Sequence, residues 1–327
     1  MNKFALLALL VLFNFPAQAQ SSSFVDFLEG VKQDLKKENI DPDLLTQAMG
    51  ENPEPIKEVM ERLNNQPESK STFGSYFNMM VSDYRVKNGV KNLGAHSNAV
   101  ADASQKYGIP EEVIVSLWGI ESAYGKLTGG FQIVPSLATL AYQSHRKDFF
   151  RRELIKALKI VQEGHIPLNK LTGSWAGAMG QCQFMPSSFF RFAADGNGDG
   201  RKDIWQTEAD VFASTANYLN ESGWVKDKPW GQRVVLGKIL PPIKFSSNGL
   251  SGHKSVKEWK RLGVYASLGG IKVGDTTDAR LFIPNGPSGK AYLVYDNFDI
   301  ILKWNRSSYF AFSVLSLADE IAAKRKG

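Results

Sequence analysis

Through the first two thirds of this 327-residue chain, apolar residues recur at helical spacing, and that rhythm limits the possible folds more than composition does. Runs at 56–63, 92–107, 110–123, 136–163 and 207–222 carry it. Asp41 and Pro42 supply a cap and first turn ahead of Leu44, Leu45 and Met49. Thr207 and Asp210 stand in a capping-box arrangement before a run that stops at Gly223. From about Arg233 the pattern changes. Short β-branched and aromatic stretches at 234–236, 239–245, 269–274, 280–284 and 291–295 alternate with Gly, Pro and Asn clusters, which predicts strands. Helical spacing returns at 298–324. The expected fold is mainly α, an α+β chain with one small strand-rich insertion. Its expected divisions are 1–19 (leader), 20–100 (N-terminal helical region), 101–232 (helical core), 233–296 (β-rich insertion) and 297–327 (C-terminal helical segment).

The first nineteen residues combine Lys3, an apolar run from Phe4 to Phe15 and the small-residue pattern Ala17-Gln-Ala19, which together read as a secretory signal peptide. The run is too short to span a bilayer, and no mid-chain segment is a candidate. Setting the leader aside lowers the formal net charge from +6 to +5, because Lys3 is its only charged residue. That modest excess suits a polyanionic envelope partner without requiring one, and no nucleic-acid partner is expected. The single cysteine, Cys182, excludes an internal disulfide and reads as a small packed hydrophobe.

Within 110–125, Ile114, Leu117 and Trp118 form an apolar stripe that Glu121 completes at helical spacing, with Pro110 suited to the first turn. A carboxyl on the buried face of a helix is pushed toward its neutral form, the state a general acid needs near neutral pH. The alternatives are an acid that snorkels to solvent and one paired with a base. Asp148 and Glu153, in the run Arg146–Glu153, read as a solvated helix face, so no second carboxylate is evident beside Glu121.

At 173–189 the chain reads Gly-Ser-Trp-Ala-Gly-Ala-Met-Gly-Gln-Cys-Gln-Phe-Met-Pro-Ser-Ser-Phe. Glycines among aromatics suit a backbone wrapped round a ligand with both hydroxyls and flat faces, such as a sugar, or ordinary turns. Further on, Asp195, Asn197 and Asp199 occupy positions 1, 3 and 5 of a loop with Gly200 at position 6, the spacing of an EF-hand calcium loop whose seventh position, Arg201, contributes a carbonyl. Gln206 stands at position 12, where a bidentate glutamate is usual, so the remaining carboxylate is Asp203 or Asp210. A glycine-rich turn capped by its own Asp and Asn side chains is the alternative to calcium.

The Glu-Ser-x-Tyr-Gly element at 121–125 and the Gly-Ser-Trp-Ala-Gly-Ala-Met-Gly-x-x-Gln-Phe-Met-Pro-Ser-Ser element at 173–188 resemble those of the lytic murein transglycosylase B family. So do Thr72–Phe77, Asn217-Tyr218, Gly223-Trp224 and Trp304–Tyr309, while 235–295 matches weakly. The resemblance implies a lysozyme-like catalytic core with the C-terminal helical segment packed back on it. It implies that Glu121 is catalytic, that Ser174 and Gln183 line the cleft, and that Tyr218 hydrogen-bonds near Glu121 or the reacting sugar. It also implies that Tyr76, Arg146 and Asn305 contact glycan or peptide. Relatives often have two tyrosines where this chain has Tyr309 and Phe310, so Tyr309 is a contact and a hydroxyl is missing at Phe310, while Trp304 is a stacking surface or a core residue. The family pattern places Asp210 in the metal site with Asp195, Asn197, Asp199 and Arg201, with calcium in a structural role. No cysteine follows the leader, so the lipid anchor of some members is not expected; the protein should be soluble and periplasmic.

One acid suffices if the substrate supplies its own nucleophile. The expected reaction cleaves the β-1,4 bond between N-acetylmuramic acid and N-acetylglucosamine in peptidoglycan glycan strands without water, leaving 1,6-anhydromuramic ends. A lysozyme-type hydrolase and a non-catalytic murein-binding scaffold are the competing readings.

Overall fold

The structure, a computed structural model, describes residues 23–65, 72–237, 242–247, 249–286 and 289–326. The leader expected at 1–19 lies outside the described residues.

Helices α1 (Phe24–Lys37), α2 (Asp43–Met49) and α3 (Lys57–Asn64) open the chain. A capping box between Ser23 and Asp26 starts α1, which buries Phe24, Leu28, Val31 and Leu35 along one face. Then come α4 (Phe73–Met80), α5 (Asp83–Ala95) and α6 (Ser97–Tyr107). The periodic run 92–107 is therefore two helices, broken at His96. Helix α7 (Glu111–Ser122) follows Pro110, and residues Val113–Gly119 are all buried. A helix apolar on every side belongs in the middle of a bundle. Accordingly α7 is packed by α5, α6, α11 (Glu208–Glu221) and α14 (Ser308–Lys326).

The run 136–163 divides into α8 (Ile133–Gln143) and α9 (Lys147–Gln162), because Ser144 turns extended and its Oγ accepts the Arg146 backbone N–H at 3.1 Å. Helices α1, α2 and α3 pack on this pair. Strand β1 (Phe131–Gln132) pairs antiparallel with β2 (Thr172–Gly173), and α10 (Pro186–Phe192) precedes α11. At the far end, the expected helix 298–324 is α13 (Asp296–Trp304) and α14, separated where Asn305 Oδ1 accepts the Ser307 N–H at 3.0 Å.

Between α11 and α13 lies a five-stranded antiparallel sheet of β3 (Gly231–Leu236), β4 (Leu250–Ser255), β5 (Val264–Ala266), β6 (Asp278–Phe282) and β7 (Ala291–Val294), in the order β4-β6-β7-β3-β5. One face holds its own core of Val234, Val264, Leu281 and Leu293 beneath helix α12 (Val256–Arg261), whose Trp259 is fully buried. From the other face Leu250, Phe282 and Val294 join the main helical core. Two strand expectations fail. Residues 269–274, with glycine at 269, 270 and 274, form a turn and irregular chain, and of 239–245 the described part is irregular apart from one isolated bridge at Phe245. Helix α12 was not foreseen: its six residues are too few for a periodicity signal, although Ser255 and Glu258 form a capping box. Among the described residues, no helix is long and apolar enough to cross a membrane.

Candidate active site

Glu121 and Ser122 end α7, with Glu121 one turn past Trp118. The next residues, Ala123, Tyr124 and Gly125, all have positive φ (50°, 60° and 78°). Left-handed backbone at two non-glycine residues costs energy and needs support from packing. Tyr124 supplies much of that support: its ring meets Trp118 edge-on, and its hydroxyl donates to the Arg85 carbonyl at 2.6 Å. Gly119 leaves room for that ring, since a Cβ there would lie 2.5 Å from it. Arg85 in turn donates to the carbonyls of Gly119 (3.1 Å) and Met79 (2.7 Å), tying α4 and α5 to the end of α7. No motif announces Arg85, because its role depends on three segments meeting.

Protein atoms crowd Glu121, though the residue keeps a partly exposed edge. Burial pushes its carboxyl up to about 7, and the Trp304 indole works against that rise by donating to Oε1 at 2.7 Å. Among the described residues, no second carboxylate contributes to the shift. Trp304 is held by Phe184 and Tyr218, with ring centroids 5.3 and 4.6 Å away. It is thus less a free stacking surface than the partner of the acid.

Of the expected contacts, Tyr76 on α4 lies within electrostatic reach of Glu121, whose charge adds to burial in raising the phenol's pKa. The Tyr76 ring is 6.2 Å from that of Tyr309 on α14. Tyr218 on α11 donates its hydroxyl to the Lys303 carbonyl at 2.7 Å, one residue before the Trp304 that donates to Glu121. It anchors the end of α13 that carries Trp304. Gln183, at φ 52°, spends both amide hydrogens on the carbonyls of Thr128 (3.1 Å) and Gly180 (2.8 Å), leaving only its own carbonyl for a ligand. Ser174 Oγ accepts the Ala178 N–H at 3.0 Å and keeps its proton to donate. Asn305 is exposed beside Trp304. Arg146 is exposed and stacks at 4.1 Å on Phe149 of the helix that it precedes, as a solvent-facing arginine does. Phe310 is buried in the core, so no hydroxyl is missing from a ligand surface there.

The glycines of 173–189 face protein. A Cβ on Gly173 would meet the Ala178 carbonyl oxygen at 2.1 Å, and one on Gly180 the Ile204 carbonyl oxygen at 2.6 Å. They permit backbone to pack on backbone. Between them and α7 runs a relay that sequence reasoning missed: the Trp118 indole donates to Gln181 Oε1 (2.6 Å), and Gln181 Nε2 to the Trp205 carbonyl (3.0 Å). Cys182 is buried against Val211 and Thr215, its thiol pushed up to about 12, in line with an inert packed residue. Asp148 is exposed as expected, but Glu153 is buried and accepts the Ser187 N–H at 2.8 Å. Its neighbours' charges had suggested a solvated face; tertiary contact with the start of α10 decided otherwise.

In the 195–206 loop, Asp195 accepts the N–H groups of Gly198 (2.6 Å), Asp199 (3.2 Å) and Gly200 (2.8 Å). Asn197 Oδ1 accepts from Asp199 N (3.1 Å), and Asp199 Oδ1 from Arg201 N (2.9 Å). Asp203 Oδ1 caps Trp205 and Gln206, both at 2.9 Å. Asp210, fully buried, accepts Gly196 N at 2.7 Å through one oxygen and Asp203 N at 2.6 Å through the other. It clasps the loop to α11, so the expected capping box with Thr207 does not form, and Thr207 makes no side-chain cap. Among the described residues, no three His, Cys, Asp or Glu converge as a metal-holding group. The oxygen donors at positions 1, 3 and 5 and the Arg201 carbonyl fit a hard cation in type. Both oxygens of Asp210 accept backbone N–H groups, as those of Asp195 do, and each carboxylate oxygen keeps a further lone pair for a cation, so Asp210 is the clasp and fits as the remaining carboxylate ligand.

A mainly helical core that presents one crowded acid among aromatic side chains defines a glycan-processing enzyme of lysozyme-like type. Residues 23–319 match the family described as Transglycosylase SLT domain, and the chain belongs to that family, the lytic murein transglycosylases, enzymes that cleave glycosidic bonds of peptidoglycan. It is 33% identical over 253 residues to membrane-bound lytic murein transglycosylase B of Escherichia coli K12, covering 76% of this chain and 67% of that protein. SltB3 of Pseudomonas aeruginosa, solved in complex with NAG-anhNAM-pentapeptide, is 35% identical with a TM-score of 0.84, over 93% of this chain and 80% of that one. The E. coli lytic transglycosylase Slt35 in complex with calcium is 28% identical with a TM-score of 0.80, over 95% and 96% of the two chains.

Proposed function

We propose that Glu121 serves as both acid and base in a non-hydrolytic cleavage. Protonated at the outset, it delivers its proton to the glycosidic oxygen as the C1–O bond between N-acetylmuramic acid and N-acetylglucosamine breaks. As a carboxylate it then takes the proton of the muramic C6 hydroxyl while that oxygen bonds to C1, closing the 1,6-anhydro ring. Intramolecular attack replaces a bimolecular step, an advantage of about 7–11 kcal/mol in favourable geometries. The observation that carries this reading is the Glu121–Trp304 pair: a carboxyl raised to about 7, with one neutral donor and no opposing cation among the described residues, can exist in either form near neutrality.

Ser174, Gln183, Tyr76, Asn305 and Tyr309 then contact peptidoglycan glycan strands, while Tyr218 acts through Trp304. The 195–201 loop binds calcium through Asp195, Asn197, Asp199 and the Arg201 carbonyl, with Asp210 as the remaining carboxylate, holding the chain between Phe184 and Tyr218. Residues 1–19 are removed on export, giving a soluble periplasmic protein with the remaining four divisions read from the sequence. A muramic substrate blocked or deoxygenated at C6 separates this mechanism from a lysozyme-type hydrolase. It should bind and resist cleavage, whereas cleavage to a reducing end, found by mass spectrometry as a product heavier by one water, overturns the mechanism.

A further inference from the structure

The charge of this chain is concentrated in one place. Residues 231–295 contain ten Lys and Arg against three Asp and Glu, a balance of +7, while the whole chain carries +6, leaving the remainder at −1. The sheet unit is therefore strongly basic on an otherwise neutral protein, and such asymmetry marks an anion-facing surface. All three of its acids are engaged locally: Asp275 with Lys260 at 2.6 Å, Asp278 with His253 at 2.6 Å and Glu258 with the Ser255 backbone N–H at 2.9 Å. Arg233, Lys244, Lys254, Lys257, Arg261 and Lys272 are all exposed.

The same unit displays its apolar residues rather than hiding them. Val235 on β3 and Tyr265 on the edge strand β5 are register partners, 57% and 52% exposed. The loop that leaves β5 carries Leu268, fully exposed, and Ile271, 49% exposed, with Lys272 next to it. Arg233 lies two residues from Val235 on the same face of β3. A soluble surface explains lysines, and a polyanionic glycan would be held by them, but neither gives a place to an exposed leucine and isoleucine on a loop tip. Exposed apolar side chains with Arg233 on the same strand face and Lys272 beside Ile271 match an anionic bilayer, whose headgroups take the charge while its acyl boundary takes the apolar groups.

We infer that the β5 edge and the 267–272 loop dock the enzyme reversibly on an anionic phospholipid surface. This use of the sheet unit is separate from the chemistry at Glu121. Charge supplies the long-range attraction and falls with salt; Leu268 and Ile271 supply the short-range insertion.

Co-sedimentation of the full chain with phosphatidylglycerol/phosphatidylethanolamine vesicles, against phosphatidylcholine vesicles, tests it. Binding should favour the anionic vesicles and weaken as salt rises. The double variant Leu268→Ser/Ile271→Ser should bind severalfold more weakly, and Arg233→Gln/Lys272→Gln should lose about fivefold per removed charge. Every variant keeps the N-terminal segment of the parent, so a leader cannot produce the difference. Cleavage of short soluble murein fragments and the thermal midpoint should stay unchanged, which establishes folding. Equal binding to neutral vesicles, anionic binding undiminished in both variants, or loss in the variants of sedimentation with purified murein sacculi instead of vesicles would each overturn the assignment.

Discussion

Trp304 reaches across 183 residues of chain to donate its indole N–H to Glu121 at 2.7 Å, and among the described residues it is the one hydrogen-bond partner that shifts that acid. An indole is neutral, so it orients a carboxyl and favours its ionised form without fixing it there as a guanidinium would.

Glu121→Gln keeps the shape and the Trp304 contact but cannot cycle a proton. Turnover of murein should fall by roughly a hundredfold to ten-thousandfold or more while substrate binding persists. Muropeptide chromatography for turnover and sedimentation with sacculi for binding check it; a near-normal rate would remove Glu121 from its role.

The pH dependence follows from an acid raised from 4.5 to about 7. Since Glu121 must start protonated, kcat/KM should decline above about pH 7. For stability, the folded state binds more protons than the unfolded one between those two values, so this group makes the protein less stable as pH rises from about 4.5 to 7. Denaturant melts should therefore find Glu121→Gln more stable than the parent at pH 8, by on the order of 3 kcal/mol at most, with the gap closing below pH 4.5. A constant gap across pH would contradict the raised value.

Trp304→Phe keeps packing against Phe184 and Tyr218 but deletes the donor. Because the indole lowers the Glu121 pKa, its loss should move the alkaline limb of the pH–rate profile upward. The rate should fall about tenfold to a hundredfold, as expected for one hydrogen bond to a charged group. An unshifted limb would mean that the contact is structural only.

Calcium added to chelator-treated protein should raise the thermal midpoint, through about 2.7 kcal/mol of stabilisation at a hundredfold excess over Kd. Asp195→Ala or Asp199→Ala should abolish the rise. Calorimetry with and without the ion decides this, and an unchanged midpoint would leave the loop as a self-capped turn.

The helices, the sheet region and the placement of one acid on an apolar face were legible in the sequence because each is written in local spacing. Helical periodicity reports which residues share a side, and Glu121 shares one with Ile114, Leu117 and Trp118. Helix breaks were less legible: at His96, Ser144 and Asn305 the periodicity runs on, while one or two backbone angles end the helix. What only the tertiary structure decided is which distant groups meet. Trp304 with Glu121, Trp118 with Gln181, Glu153 with Ser187 and Asp210 with the 196–203 loop are polar pairs made by packing. A side chain's hydrogen-bond partner is set by what the fold brings within 3 Å. Thus Tyr218 serves Lys303, and Asp210 serves a loop rather than its own helix.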